Sequence, residues 1–165
     1  MPQLCLSLGS NLGEREQNLR RAILLLTSEL GAPARLSAFT ETKPWGFTSP
    51  HDFLNAAAVW QTNLPPDKLL LITQHIERQM GRKQKSQNAR YADRTIDIDL
   101  LLYGDLILNQ SLTDEHGHTC RLILPHPLMH RRLFVLQPLA EIAPQAFHPV
   151  FRKTVARLLH DIQTE

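Results

Sequence analysis

The sequence predicts an α+β fold with a largely antiparallel sheet and helices packed on it, and three observations lead to that prediction. Short apolar runs typical of buried strands are interspersed with longer segments of helical periodicity. Several connections between the runs are short enough for hairpins, whereas parallel strands need long crossovers. The chain has 165 residues, of which 42% are hydrophobic, so residues 1–165 are expected to form a single globular domain.

The first half of the chain predicts two units in which a strand leads into a helix. Leu19, Ile23 and Leu26 recur at the spacing of one helical face, and a glycine at position 31 is a typical C-terminal stop. The predicted elements are a strand at 3–8, a turn at 9–13, a helix to residue 30, a strand at 35–42, a strand at 55–62 and a helix at 65–80.

The second half begins with a polar stretch at 82–94, which has almost no large apolar residues and is expected to form a long functional loop. Residues 95–103 are the clearest strand of the chain. Gly104 and Asp105 predict a hairpin turn into residues 106–108. A loop at 113–119, a strand at 121–124 and short helices at 128–137 and 152–163 complete the prediction.

Composition limits the partners and the cellular location that are expected for the protein. The formal net charge is only +2, so neither a nucleic-acid nor a membrane partner is expected, and no obligate protein partner is implied. The two cysteines, Cys5 and Cys120, lack metal-ligand spacing, and Cys5 reads as a buried thiol. No secretory signal and no apolar run of membrane length is visible, which favours a cytoplasmic protein.

Two aspartates lie on the clearest predicted strand. Because side chains alternate along a strand, residues 96, 98, 100 and 102 should face the core, and Asp97 and Asp99 should share the other face. Their Cα atoms would lie roughly 6.6 Å apart, and two carboxylates at that distance repel by about 2.5 kcal/mol at an effective dielectric of 20. Magnesium would relieve this repulsion, since it binds hard oxygen ligands. An exposed strand face with two solvated acids is the alternative.

Basic residues precede the aspartates directly, in the predicted loop. Acids that hold a metal and arginines that hold phosphate are complementary parts of a phosphoryl-transfer site. Glycine-rich phosphate-binding motifs are absent, so a nucleotide would be held by side chains and metal. A solvated loop is the alternative, and Tyr91 among arginines is also compatible with stacking on RNA. The basic residues are Arg82, Lys83, Lys85, Arg90 and Arg94.

Aromatic and amide side chains before and within the second long strand predict another pocket. Phe53 and Asn55 should point the same way, and asparagine offers a donor and an acceptor to the edge of a flat heterocycle. Ordinary core packing is the alternative for each residue alone. Further along, His126 lies between two prolines, which fix its position.

Together these residues make the chain resemble the 6-hydroxymethyl-7,8-dihydropterin pyrophosphokinases of folate synthesis. The resemblance covers nearly the whole chain, and the order and spacing of its motifs make it specific. The motifs are residues 9–13, 53–57, Glu77 with Gly81 and Arg82, and residues 94–101, 124–127 and 138–144.

The resemblance implies a ferredoxin-like fold and transfer of pyrophosphate from ATP, the co-substrate, to the pterin hydroxymethyl group, leaving AMP. Asp97 and Asp99 would bind two Mg²⁺ ions, and Arg82, Arg94 and His126 would join them in catalysis. The implied pterin pocket comprises Thr42, Lys43, Trp45, Phe53, Asn55 and Phe134. The implied ATP contacts are Gln74, Glu77, Arg82, Arg90, Arg94, Leu100, Arg121, His126 and Arg132.

The chain departs from the family pattern in two places. The loop before the aspartates commonly reads Arg-Trp-Gly-Pro-Arg in the family, whereas residues 90–94 here read Arg-Tyr-Ala-Asp-Arg. Lys43 replaces a common proline, and Trp45 replaces a smaller apolar residue. The departures therefore concern the loop that would contact phosphate and the wall of the implied pterin pocket.

Two other functions remain open from the sequence. A nucleotidyltransferase also combines a Gly-Ser turn with an Asp-x-Asp pair, but there the pair follows the turn closely, and here most of the domain separates them. An RNA-binding module of the same fold would need exposed aromatics on its central strands. The predicted strand positions are instead alanines and aspartates.

Overall fold

A computed structural model describes residues 1–81 and 93–165 of the chain. Most of the predicted polar loop, including Arg82, Arg90 and Tyr91, lies outside the described residues. The first part of the fold consists of β1 (Gln3–Ser10), α1 (Arg15–Leu30), β2 (Arg35–Leu36), β3 (Thr40–Thr42), β4 (Phe53–Gln61), α2 (Pro66–Gln79) and β5 (Asp97–Tyr103).

These elements form one antiparallel sheet in the order β2–β4–β1–β5, and β3 pairs with β4. The split β2–β3 segment counts as one strand of a β-α-β-β-α-β unit, and this connectivity is ferredoxin-like. The predicted α+β class with an antiparallel sheet is confirmed. β1 lies between β4 and β5, so its residues 7 and 9 are central in the sheet.

The second part of the chain adds a separate hairpin and two helices. It comprises β6 (Leu108–Thr113), β7 (Thr119–Leu124), a 3₁₀ turn (Met129–Arg131), α3 (Leu133–Ile142), β8 (Phe147–His148), β9 (Lys153–Thr154) and α4 (Val155–Gln163). β6 pairs with β7, and β8 pairs with β9. None of the helices in the described ranges has the length and apolar character needed to cross a bilayer.

Both faces of the sheet carry a hydrophobic core. On one face, Leu4, Leu6 and Leu8 of β1 pack with α1, α2 and the β6–β7 hairpin. On the other face, Cys5 and Val59 pack with α3 and α4. Burial raises the pKa of the Cys5 thiol to about 12, as expected for an unreactive buried thiol. The second core covers only one end of its face, and polar residues occupy the other end.

Two local predictions in the first half of the chain were wrong. Gly9 and Ser10 belong to β1 rather than to a turn, and the turn begins at Asn11. The predicted strand at 35–42 is interrupted at Ser37, whose Oγ accepts a hydrogen bond from the Ala57 N–H at 2.8 Å. This side-chain bond replaces a ladder bond between backbones, so the strand divides into β2 and β3.

Two predictions about the strand β5 and its exit also needed correction. The turn at Gly104 does not lead into a hairpin with β5, because β6 starts at Leu108 and pairs with β7. The register between β1 and β5 shifts at Cys5 and Leu6, so Leu102 packs in the second core rather than beside Leu100. Such a β-bulge reverses the alternation of side chains beyond it.

Candidate active site

A pocket occupies the end of the second sheet face that α3 and α4 leave uncovered. Three adjacent strands supply its floor, each through two residues that point to the same face. These are Ser7 and Gly9 of β1, Phe53 and Asn55 of β4, and Asp97 and Asp99 of β5. The register explains the grouping, because Gly9 lies opposite both Asn55 and Asp97.

Asn55 is held rigidly at the centre of this floor. It is only 3% exposed, and its Nδ2 donates a hydrogen bond to Thr42 Oγ1 at 2.5 Å. A β-carbon at Gly9 would lie 2.9 Å from Asn55 Oδ1 and 3.4 Å from the Phe53 ring. The absence of a side chain at position 9 therefore lets the amide and the ring approach the strand closely.

Aromatic rings and one arginine form the walls. The Trp45 and Phe134 ring centroids lie 6.4 Å apart, and Phe47 meets Phe53 edge to face at 6.2 Å. The Arg132 guanidinium lies 4.8 Å from the centroid of the Trp45 ring, a cation–π geometry. Such walls suit a flat heterocycle, because rings and guanidinium groups offer planar faces for stacking.

The two aspartates form the polar end of the pocket. Both are partly exposed and share the face that looks into the cavity, while Ile96 and Ile98 are buried on the opposite face. Arg132 Nη1 lies 3.9 Å from Asp99 Oδ2, too far for a hydrogen bond. Within residues 1–81 and 93–165 no group of three or more His, Cys, Asp or Glu is arranged as a metal site.

This donor set fits magnesium held in part by a substrate. Mg²⁺ commonly takes one or two protein carboxylates and completes its octahedron with water and phosphate oxygens. Asp97 and Asp99 offer two hard oxygen donors on one strand, at the open end of a pocket. The residues present therefore fit the metal that the sequence predicts, provided that ATP supplies the remaining ligands.

Two predicted ATP ligands lie along the outer edge of β5. Glu77 of α2 is 2% exposed, and its Oε2 accepts a hydrogen bond from the Ile98 N–H at 2.9 Å. The His126 N–H donates to the Leu101 carbonyl at 2.9 Å, which fixes the Pro-His-Pro segment to the same edge. Both residues thus satisfy backbone groups of the strand that carries the aspartates, on the edge away from β1.

The other predicted ATP residues lie in different parts of the chain. Gln74 lies one turn before Glu77 on α2, and Arg121 of β7 donates a hydrogen bond to Asn109 Oδ1 across the hairpin. Leu100 is 5% exposed within the first core. Arg132 lines the aromatic pocket rather than the β5 edge. Arg82 and Arg90 lie outside the described residues.

The structure brings all six predicted pterin residues into one pocket with both aspartates. Thr42, Lys43, Trp45, Phe53, Asn55 and Phe134 all line it. The sequence prediction did not include Ser7 and Gly9, which line the same pocket. Phe47 also lines it and is one of the aromatics before the second long strand from which the pocket was predicted. Strand alternation would have indicated Ser7 and Gly9, since they interrupt the row of leucines on β1.

A polar cluster at the entrance to β5 was also missed. The Asn11 N–H donates to the Arg94 carbonyl at 2.9 Å, and Asn11 Oδ1 accepts from the Arg94 N–H at 2.6 Å. Asn11 Nδ2 donates to Asp93 Oδ1 at 2.8 Å. Arg94, a predicted catalytic residue, is thereby fixed through its backbone three residues before Asp97. No periodicity in the sequence links positions 11 and 93.

Comparison with known proteins shows which family the chain resembles in sequence. The sequence model of the 7,8-dihydro-6-hydroxymethylpterin-pyrophosphokinase family matches residues 5–144. A 2-amino-4-hydroxy-6-hydroxymethyldihydropteridine pyrophosphokinase of Porphyromonas gingivalis is 48% identical over 87% of this chain and 92% of its own length. The enzyme of the same name from Bacillus subtilis is 41% identical over 85% of this chain and 77% of its own.

Solved structures support the fold independently. The wild-type HPPK-DHPS of Plasmodium falciparum superposes with a TM-score of 0.74 over 97% of this chain, at 17% identity. This chain spans 44% of that longer protein. Since the family model covers most of the chain and relatives that are 48% and 41% identical match over 92% and 77% of their length, the chain belongs to the 7,8-dihydro-6-hydroxymethylpterin-pyrophosphokinase family.

Proposed function

We propose that the pocket above Asp97 and Asp99 is the site at which the chain performs the reaction of its family. The chain transfers pyrophosphate from ATP to the hydroxymethyl group of 6-hydroxymethyl-7,8-dihydropterin, giving AMP and the pterin diphosphate in folate biosynthesis. One observation carries the assignment of the site. A single cavity is lined by a buried amide and aromatic rings on one side and by two adjacent carboxylates on the other.

The pterin is proposed to lie against Asn55 and between the rings. The Asn55 amide, fixed by Thr42, offers donor and acceptor atoms to the edge of the heterocycle. Phe53 and Phe134 supply apolar faces, and Trp45 closes the pocket beside Arg132. Lys43 lines the same cavity and is proposed to contact the pterin edge. This placement directs the hydroxymethyl arm toward the aspartates.

Asp97 and Asp99 are proposed to hold two Mg²⁺ ions together with the phosphates of ATP. When bound, the metal supplies charge neutralisation on the phosphate oxygens and keeps them in a defined orientation. The side chains that hold it come from a rigid strand whose outer edge is fixed by Glu77 and His126. The triphosphate would therefore lie across β5, between the pterin pocket and α2.

The group transfer is an in-line displacement at the β-phosphorus. The hydroxymethyl oxygen forms a new bond to that phosphorus, and the bond from phosphorus to the oxygen shared with the α-phosphate breaks, so that AMP leaves. The hydroxyl proton must be accepted, and an Asp97 carboxylate oxygen is proposed for this role. Precise aim at the β-phosphorus rather than the γ-phosphorus depends on positioning of both substrates.

Arg94 and His126 are proposed to stabilise the charge that develops on the phosphates, with Arg82 joining them from the segment outside the described residues. His126 Nδ1 accepts a hydrogen bond from the Leu128 N–H at 3.1 Å. The proton of a neutral His126 ring therefore belongs on Nε2, which is the nitrogen proposed to donate to a phosphate oxygen. Arg132, beside Asp99, is proposed to contact ATP once the pocket is occupied.

Replacing the aspartates tests the site. In Asp97→Ala and Asp99→Ala, turnover should fall roughly 10³-fold or more, because each change removes a metal ligand worth several kcal/mol in the transition state. Release of AMP measures the reaction. Asp105→Ala is the matched control, since Asp105 is exposed just after β5. Near-normal turnover by a correctly folded Asp97→Ala variant would overturn the assignment of the site.

A further inference from the structure

The segment at 43–52 carries two wall residues of the pocket, Trp45 and Phe47, yet it has no helix or strand of its own. Side chains from other parts of the chain hold it. Arg15 Nη1 donates to the Asp52 carbonyl at 2.9 Å, and Asn11 Nδ2 donates to the His51 carbonyl at 3.1 Å. The position of the two rings therefore depends on contacts outside the segment.

A third residue that holds segment 43–52, after Arg15 and Asn11, is Asp93 at the entrance to β5. Its Oδ1 accepts a hydrogen bond from Ser49 Oγ at 2.7 Å and a second from Asn11 Nδ2 at 2.8 Å. The bond from Ser49, together with the Asn11 bond and the nearby Arg94 and His51, holds the pKa of the Asp93 carboxyl below its usual value. Bonds to an ionised acceptor are stronger than neutral ones.

Asn11 connects Asp93 to β5, the strand that carries the two aspartates. It is 2% exposed and exchanges two bonds with the backbone of Arg94, while its amide nitrogen reaches both Asp93 and His51. One buried side chain thus links the pterin segment to the strand that carries Asp97. Ser49 and Asp93 are half-buried, and a polar network whose members bond to one another favours a single arrangement of those members.

We infer that Asp93, acting through Ser49 and Asn11, is a positioning residue that holds the pterin segment 43–52 in register with the aspartate strand. The inference rests on the reaction proposed above, because the position of segment 43–52 would determine how the hydroxymethyl oxygen points at the β-phosphorus.

Kinetics with the two substrates provide the first test. In Asp93→Ala, the KM for hydroxymethyldihydropterin should rise roughly tenfold or more, as expected for losing a charge-assisted bond, while the KM for ATP stays within about twofold. Ser49→Ala should show a smaller rise, because Asn11 still bonds to Asp93. Asp93→Asn keeps an acceptor oxygen and should recover part of the loss.

A double-mutant cycle tests whether the two residues act together. If Ser49 acts through Asp93, Ser49→Ala should add nothing in the Asp93→Ala background. Additive effects of the two changes would contradict the inference. Equal effects on both substrates would contradict it as well, since a general loss of structure would explain them. Asp105→Ala is again the matched control. If the KM for hydroxymethyldihydropterin were the same in Asp93→Ala as in Asp105→Ala, the inference would also be overturned.

Tryptophan fluorescence provides a second readout that does not depend on turnover. The chain has two tryptophans, and Trp60 is 0% exposed, so quenching by acrylamide reports on Trp45. Asp93→Ala should increase this quenching, and Asp105→Ala should leave it unchanged. Unchanged quenching in Asp93→Ala would refute the positioning role even if the wild-type chain proved inactive. A wild-type chain without turnover would instead refute the proposed function.

Discussion

At the scale of single residues, a close approach between Gly9 and Asn55 shapes the proposed pterin pocket. Gly9 lies on the floor of the pocket, where a β-carbon would meet Asn55 Oδ1 at 2.9 Å. Asn55 is buried and its Nδ2 donates a hydrogen bond to Thr42 Oγ1, so the amide has little room to retreat. The smallest residue type at position 9 therefore preserves the orientation of the group that would recognise the heterocycle.

Gly9→Ala should weaken pterin binding without affecting ATP. The added methyl group would displace Asn55, and the KM for the pterin should rise roughly tenfold because a buried hydrogen bond is lost or bent. Steady-state kinetics with each substrate varied in turn measure this. A KM for the pterin equal to that of the wild type would show that the pocket tolerates a side chain at position 9.

At the scale of elements, β5 is an edge strand whose open side is closed by side-chain and loop contacts. Glu77 accepts the Ile98 N–H, and the segment of His126 donates to the Leu101 carbonyl. These contacts on the outer edge and pairing with β1 on the inner edge fix the strand. The position of Glu77 gives it a structural role in addition to the predicted contact with ATP.

The two roles of Glu77 can be separated by substitution. Glu77→Ala should lower the free energy of unfolding by about 1–3 kcal/mol, because the buried Ile98 N–H loses its acceptor. Glu77→Gln retains an acceptor oxygen and should lose much less stability. Urea unfolding of both variants measures the difference. Equal stability of Glu77→Ala and the wild type would contradict the structural role.

Sequence periodicity predicted the helices and strands well where one face of the element is buried in the core. The helices α1 and α2 and the strands β1, β4 and β5 were predicted within a few residues. The prediction failed where tertiary contacts decide, as at Ser37, which divides one strand, and at the bulge before Leu102. The pairing of β6 with β7 depends on residues beyond the turn, so the turn at Gly104 alone indicated the wrong hairpin.

The candidate site was predicted largely from the aspartate pattern and the family resemblance. Physical reasoning from the residues alone gave Asp97, Asp99 and the aromatic pocket, because residue type and alternation carry that information. It could not give the cluster of Asn11, Ser49 and Asp93, whose members lie on three separate segments. Nor could it place Arg132 between Trp45 and Asp99, since the start of α3 reaches the pocket only in the folded chain.

At the scale of the whole molecule, the C-terminal segment completes the second core and contains two histidines with altered titration. His148 is 3% exposed, and the ring centroids of His148 and His130 lie 4.6 Å and 4.5 Å from that of Phe151. Burial lowers the pKa of both histidines below the ordinary value of 6.5, and for His148 the proximity of His130 adds to the effect. His148 Nδ1 also accepts the Phe151 N–H at 3.1 Å, a bond that the protonated ring would lose.

Stability should therefore fall as the solution is acidified below the ordinary histidine pKa. The folded state keeps both rings neutral, so their contribution is fully present above pH 6.5 and is lost as the pH falls through their lower folded pKa values. His148→Gln should reduce this dependence, and His160→Gln, at an exposed position, should not. Thermal unfolding at about pH 7.5 and about pH 5.5 measures it. An identical pH dependence in His148→Gln and the wild type would contradict the assignment.

Two carboxylates contribute to the pH dependence of stability in a lower range of pH. The pKa values of Asp93 and Asp161 lie below 3.8, mainly because of hydrogen bonds from Ser49 and Lys153 respectively. Their stabilisation is present above pH 3.8 and is lost only in stronger acid as the pH falls through the lowered values. The histidine and carboxylate effects can thus be distinguished by the pH at which stability is lost.

In the whole molecule, the uncovered end of one sheet face brings an aromatic pocket next to a pair of carboxylates. Phosphorus NMR of the purified chain with ATP, Mg²⁺ and 6-hydroxymethyl-7,8-dihydropterin tests this most directly. The account predicts AMP and a pterin diphosphate ester in equal amounts, because attack is aimed at the β-phosphorus. Formation of ADP and a pterin monophosphate would contradict that aim and, with it, the proposed geometry of the site.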